Sequence, residues 1–293
     1  MNEIQRNQWL DEVIQGVLAS IAHAQELRAA LVFKGAWILN AHLKDNRHSA
    51  DIDANAATDW AAATPDLENQ REFLEKTIHR IVNRDFERQE PVRFKVTTTK
   101  VDKRPPKGHP RNWTAFLVKL TIHDASHAGV IGLPPIEIDI AAPERLGKNA
   151  VQSIELLGAP ARVYALHRIA GEKLRAYLTS LPEYRTKMRG GERSFRTKDL
   201  YDLTRILRAR PITDQTFWAE AGSEFVLACQ SRLVDCTGIE TFMQDWTTAQ
   251  SLYEKDPLLT SIPFHAAEAA LKQIAEFLAA NGFLPVRLPA ETA

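Results

Sequence analysis

Cysteine is nearly absent: Cys229 and Cys236 are the only two in 293 residues. They stand about two turns apart on a predicted helix, a separation that side chains cannot bridge without distortion, so the reading is a reduced, cytoplasmic protein. The lack of a close Cys-x-x-Cys pair and of a nearby histidine cluster argues against a zinc site. Long apolar runs are missing. None approaches the roughly 20 residues that a bilayer-spanning helix needs, and the polar, amphipathic start MNEIQRNQWLDEVIQ does not resemble a secretory signal. Net charge is missing as well: Lys plus Arg and Asp plus Glu both total 37. Bulk charge therefore argues neither for nor against nucleic acid, and only local patches can speak. What remains, 44% hydrophobic and 25% charged, is the composition of an ordinary globular protein, long enough for one large domain or two intimate ones.

The most informative stretch is Leu31 to Asn55, LVFKGAWILNAHLKDNRHSADIDAN. A short apolar segment (Leu31, Val32, Phe33) meets a Lys34-Gly35 turn, an apolar run to Leu43 follows, and a polar linker leads to Asp51-Ile52-Asp53. That order predicts strand, tight turn, helix and a second strand. Side chains alternate along a strand, which puts Asp51 and Asp53 on one face and Ile52 on the other, in a core. Paired carboxylates raise each other's pKa unless a cation sits between them, and magnesium suits oxygen donors of this kind. Gly35, without a side chain at a helix start, lets a phosphate approach the backbone N–H groups. Phosphate at one end and metal at the other suggest nucleotidyl transfer. Asp-x-Asp alone is common in exposed acidic turns; the glycine turn, Arg47, Ser49 and the order of elements favour the functional reading.

Elsewhere the pattern is structural. Ile4, Trp9, Leu10, Val13, Ile14, Val17, Leu18 and Ile21 have helical spacing, and a second helix is expected from Asp66 to about Arg88. After Pro91 the period changes to two, predicting strands around Val92–Val96 and Trp113–Ile122, with a long basic loop, DKRPPKGHPRN, between them. Ile136-Glu137-Ile138-Asp139-Ile140 reads as a third strand, isoleucines on one side and acids on the other. Beyond Pro143 the chain is expected to be mainly helical. From Pro182 to Lys198 six bases face Glu183 and Glu192, in a second basic loop with a glycine pair. Asp199 and Asp202 follow one helical turn apart, either as functional carboxylates or as a helix-start charge and a buried partner for an arginine. Three helices, near 214–233, 239–254 and 266–280, complete the chain.

KGAWIL followed by R-x-S-x-D-I-D resembles the first motif of the DNA polymerase β-like nucleotidyltransferases, and within them the AbiE-type toxins of abortive-infection and toxin-antitoxin systems. Those proteins usually carry Gly-Gly or Gly-Ser at the turn; Gly35-Ala36 removes a possible hydroxyl contact and leaves the backbone contacts. HRIAGEKLRAYL after Val163-Tyr164 is similar to the second motif, and Lys198-Asp199-Leu200-Tyr201-Asp202-Leu203 to the later Lys/Arg-Asp-x-x-Asp-Leu helix.

The resemblance implies an α+β fold, with a polymerase-β-like core of mixed sheet to residue 145 and a helical lobe from 146 to 293 that completes the active-site cleft. It implies two magnesium ions, about 3.5 to 4 Å apart in such sites, on Asp51, Asp53 and a third carboxylate, Asp139. It further implies an NTP held by Lys34, Gly35, Ala36, Arg47, Ser49 and Lys173, with Asp199 orienting Lys173 or the acceptor. The acceptor would be RNA, by resemblance the 3' end of a tRNA, and the role that of a toxin with a cognate antitoxin. The other readings are transfer to a protein hydroxyl, and a silent member that only binds a partner.

Overall fold

The computed structural model describes residues 3–45, 49, 51–104, 114–127, 132–182, 184 and 195–288. The chain divides into two compact units, one of residues 1–144 with 152–164 and one of residues 145–151 with 165–293.

The first unit is built on a seven-stranded sheet. Its elements are α1 (Glu3–His23), α2 (Gln25–Ala30), β1 (Leu31–Lys34), α3 (Gly35–Leu43), β2 (Asp51–Ala56), α4 (Thr58–Ala63), α5 (Leu67–Glu87), β3 (Phe94–Arg104), β4 (Ala115–Asp124), β5 (Ile136–Ala141), β6 (Val151–Leu156) and β7 (Ala159–Tyr164). The strands lie in the order β3-β4-β5-β2-β1-β7-β6. β2 runs parallel to β5 and antiparallel to β1, so the two acid-bearing strands are central neighbours. Apolar alternation explains the core: Ile52, Ile136, Ile138 and Ile140 are all buried. The amphipathic helices behave as their spacing predicts. α1 buries Val13, Ile14, Val17 and Ile21, and α5 buries Leu74, Ile78, Ile81 and Phe86. Asp66 starts α5 by accepting a hydrogen bond from the Asn69 N–H at 2.8 Å.

At the end of β4 the Asp124 carboxylate is saturated. It accepts from Trp9 Nε1 (3.1 Å), Arg93 Nε and Nη2 (3.1 and 3.0 Å), the Ser126 N–H (2.8 Å) and His127 Nδ1 (2.9 Å). Burial pushes its pKa up, but these donors and the Arg93 charge outweigh that and bring it down to about 2.

The second unit is mainly helical: α6 (Leu166–Leu178), α7 (Thr197–Ala209), α8 (Gln215–Arg232), α9 (Ile239–Phe242), α10 (Trp246–Lys255) and α11 (Phe264–Ala280). α6 and α8 cross closely at Gly171, where a Cβ would fall 2.6 Å from the Phe225 backbone nitrogen. Beside that crossing Arg168, fully buried, pairs with Glu224 at 3.1 Å, and Glu224 also accepts the Gly147 N–H at 2.9 Å. The segment 145–151 is thereby fastened within its own unit.

Four sequence expectations need correction. The chain after Pro143 is not helical at once, because β6 and β7 return to the sheet, where β7 pairs parallel with β1; the short alternating run Ala159–Tyr164 was overshadowed by the helix that follows. The basic segment at 102–112 does not begin as a loop. β3 extends to Arg104, with Asp102 opposite Leu117 and Arg104 opposite Ala115, while residues 105–113 lie outside the described residues. The helix expected at 239–254 is interrupted, since Asp245 is left-handed (φ 53°) between α9 and α10. Cys236 is not on a helix, because α8 ends at a left-handed Leu233 (φ 54°) and Cys236 instead bridges Val286. Neither cysteine is in a disulfide, and both are buried.

Candidate active site

Strand alternation puts Asp51, Asp53 and Asn55 on one face of β2, and Glu137 and Asp139 on one face of β5. The parallel register brings these together, with Asp51 opposite Glu137, Asp53 opposite Asp139 and Asn55 opposite Ala141. Asp51 and Asp139 are exposed and Asp53 half-buried, while Ile52 and Ile138 anchor the other side. The Asp51 carboxylate accepts a hydrogen bond from Ser49 Oγ at 2.9 Å, and Glu137 pairs with Lys119 at 3.2 Å.

On the other flank β1 places Lys34 opposite Asp53, and its ammonium lies over the Tyr164 ring, 5.7 Å from the centroid. Gly35 opens α3 with φ 73°, a backbone conformation that glycine adopts without steric cost. A Cβ there would also stand 1.9 Å from Asp53 Oδ2, so the glycine is required both by its own backbone and by the carboxylate packed against it. Ala36 follows, buried, in the first turn. Arg47 lies outside the described residues.

A divalent cation is the group this donor set would suit. Asp53 and Asp139 are side-by-side hard oxygen donors on strands about 4.8 Å apart, with Asp51 one pleat along. As the side chains stand, no three acidic, histidine or cysteine groups among the described residues converge on one point. The donor chemistry and the register of Asp53 with Asp139 fit such an ion.

In the helical unit Lys173, Asp199 and Asp202 come together as their helices pack. The Lys173 ammonium lies 3.0 Å from Asp199 and 2.6 Å from Asp202. Asp199 also pairs with Arg196, and Asp202 with Arg205 at 3.1 Å. Lys173 is 12% exposed and the two carboxylates 3% and 0%. Burial pushes Asp199 upward, yet Lys173 and Arg196 more than offset it and hold the carboxyl below its usual range. Of the segment expected as a second basic loop, Arg185, Lys187, Arg189 and Arg193 lie outside the described residues, while Arg196 and Lys198 stand at the start of α7.

With this geometry in view, residues 17–281 match the family model described as nucleotidyl transferase AbiEii toxin, type IV toxin-antitoxin system. The chain belongs to the AbiEii family. The match covers nearly the whole chain, reaching well past the motif-bearing stretch into α11. Comparison with curated proteins finds none that matches. An AbiEii protein is a nucleotidyl transferase and a toxin, so a nucleotide substrate and a toxin-antitoxin context follow from membership. Among the described residues no helix is long and apolar enough to cross a membrane.

Two groups escaped the sequence reading as parts of this face. Glu137 was visible as an acid on β5 but received no role, and Asn55 received none. For Asn55 the signal was available: it continues the alternation Asp51, Asp53, Asn55.

Proposed function

We propose that this AbiEii protein transfers a nucleoside monophosphate from an NTP to the 3' end of an RNA, of the tRNA class, as the growth-arresting toxin of a two-component system in the cytoplasm. The reaction is a displacement at the α-phosphorus. A bond forms from the acceptor hydroxyl oxygen, the bond to pyrophosphate breaks, and the hydroxyl proton is lost. The observation that carries the reading is the shared face of β2 and β5, where Asp53 and Asp139 are register partners and Asp53 packs against Gly35 at the start of α3.

In this reading Asp51, Asp53 and Asp139 hold two magnesium ions, which supply charge for the phosphates and acidify the attacking hydroxyl. The N–H groups of Gly35 and Ala36 receive phosphate oxygens, with Lys34 and Arg47 adding positive charge. Ser49 orients Asp51 through their hydrogen bond rather than meeting phosphate directly. Lys173 contributes charge to the nucleotide, and Asp199 fixes its position. The antitoxin is a separate partner that limits the activity.

The test is incubation of the purified protein with each labelled NTP, magnesium and total RNA, beside Asp51→Asn and Asp53→Asn. Label in RNA is expected with the wild type, and loss on the order of a hundredfold or more with either variant, at unchanged melting temperature. Full magnesium-dependent transfer by both variants would overturn the site. Label in protein instead of RNA would move the acceptor to a protein hydroxyl.

A further inference from the structure

Asn55 is the unusual residue of the acid face. It lies in the closing half of β2, where Ala54, Asn55 and Ala56 are all buried, and its own exposure is 2%. A buried amide costs free energy unless its polar atoms are paired. One is paired: Nδ2 donates to the carbonyl of Ala142 at 2.8 Å, a contact 87 residues away in sequence. The other, Oδ1, is buried without a partner among the described residues.

The location of that bond matters. The ladder between β2 and β5 ends with Asn55 opposite Ala141, and the side-chain bond from Asn55 reaches one residue further, to Ala142. It therefore acts as an extra rung beyond the last backbone pair, where a strand would otherwise fray. Two positions back on each strand stand Asp53 and Asp139, themselves register partners. A slip or splay at the end of β5 would carry Asp139 away from Asp53. A slip of one residue would turn it to the opposite face.

We propose that Asn55 is a positioning residue for the divalent-cation site: its amide ties the exit of β5 to β2 and so holds Asp139 beside Asp53. The inference rests on the carboxylate-site reading above. Asn55 itself touches neither substrate nor metal. Its effect is on the spacing of two oxygen donors, so its loss should appear in cation affinity before it appears in stability.

Asn55→Leu separates these quantities. Leucine has nearly the shape of asparagine, removes the unpaired Oδ1 and cannot donate to Ala142. A merely structural Asn55 would predict a leucine variant changed in melting temperature alone, with normal cation binding. The positioning role predicts a cooperatively folded variant with Mn2+ affinity lower by on the order of tenfold, whichever way its melting temperature moves. Binding is read by the loss of the free-ion EPR signal on the full-length protein, beside Asp139→Asn. Asn55→Ala, which loses the same bond without adding bulk, serves if the leucine variant does not fold, and the same fall in affinity is expected from it. Wild-type Mn2+ affinity in these Asn55 variants, with weakened binding in Asp139→Asn, would overturn the positioning role alone. Wild-type affinity in Asp139→Asn as well would overturn the carboxylate site on which the role depends.

Discussion

On the sheet, Asp51 and Asp139 stand exposed, and Asp51 has a serine hydroxyl for a neighbour; in the helical unit, Asp199 and Asp202 are almost wholly buried and share Lys173, Arg196 and Arg205. Asp124 belongs to the sheet by position and to the buried class by environment, with five hydrogen bonds around one carboxylate. The contrast separates two uses of the same side chain. A carboxylate surrounded by donors has had its bonding capacity consumed by the fold, and removing a partner leaves a buried charge uncompensated. One at an exposed face, such as Asp51, can turn its oxygens to a cation or a substrate at little cost to stability. Burial and partners thus sort the acids more sharply than their spacing in sequence does.

The largest expected effect lies at Lys173. Lys173→Ala would leave Asp199 and Asp202 facing each other with one cation fewer, a loss of about 3 to 5 kcal/mol for a buried pair broken on one side. Denaturant unfolding measures it. The exposed Asp51→Asn should stay within about 0.5 kcal/mol of wild type. A Lys173→Ala protein as stable as Asp51→Asn would erase the distinction. Replacing Lys173 by Met together with Asp202 by Asn should regain part of the lost stability, since one charge of each sign is removed. Transfer activity in that folded double variant then tests Lys173 as a source of charge for the nucleotide, free of the stability defect.

Next in size is a pH effect at Asp124. Its pKa is lowered in the folded state, from an ordinary value near 3.8 to about 2. The unfolded chain therefore takes up a proton first as pH falls. The resulting stability, about 2 kcal/mol, is fully present above pH 4 and disappears as pH drops from about 4 to 2. Urea unfolding across pH 6 to 2 should show this fall in wild type. In Asp124→Asn the fall should be reduced by that amount, on a background already destabilised because Arg93 has lost its partner. An unchanged slope would show that the carboxylate is not saturated in solution.

Much of the sheet face was legible because strands impose a period of two, and a two-residue repeat of acids and isoleucines has one physical meaning. Asp51, Asp53, Ile52 and the alternation of β5 followed from that rule alone. Register did not: that Asp53 meets Asp139, and not Glu137, depends on long-range pairing that no local pattern encodes. The β6–β7 pair was hidden for a related reason, as β7 joins the sheet through a parallel pairing with β1 that its own short sequence does not announce. Lys173 shows the limit most clearly. Its helical position was readable and the resemblance linked Asp199 to it, while Asp202, 29 residues away, becomes visible as a second partner only when the helices pack. The motif resemblance supplied the family where periodicity could supply only elements.

The smallest effect sharpens the contrast at its open end. Ser49 Oγ donates to Asp51 Oδ1 at 2.9 Å, and Ser49 is itself 9% exposed. If Asp51 is held in reserve for a cation, the hydroxyl serves to fix one carboxylate rotamer. Removing it in Ser49→Ala costs little, because water can take the vacated position on an exposed carboxylate. Stability should change by about 0.5 kcal/mol or less. Cation affinity should fall by up to about tenfold, as expected when a hydrogen bond that orients a ligand is lost. Ser49→Thr keeps the donor and should restore most of the affinity. Titration with Mn2+ and thermal unfolding on the same three proteins give both numbers. A Ser49→Ala protein that loses several kcal/mol of stability with its affinity intact would place Asp51 among the saturated carboxylates, with Asp124 and Asp202, and confine the cation reading to Asp53 and Asp139.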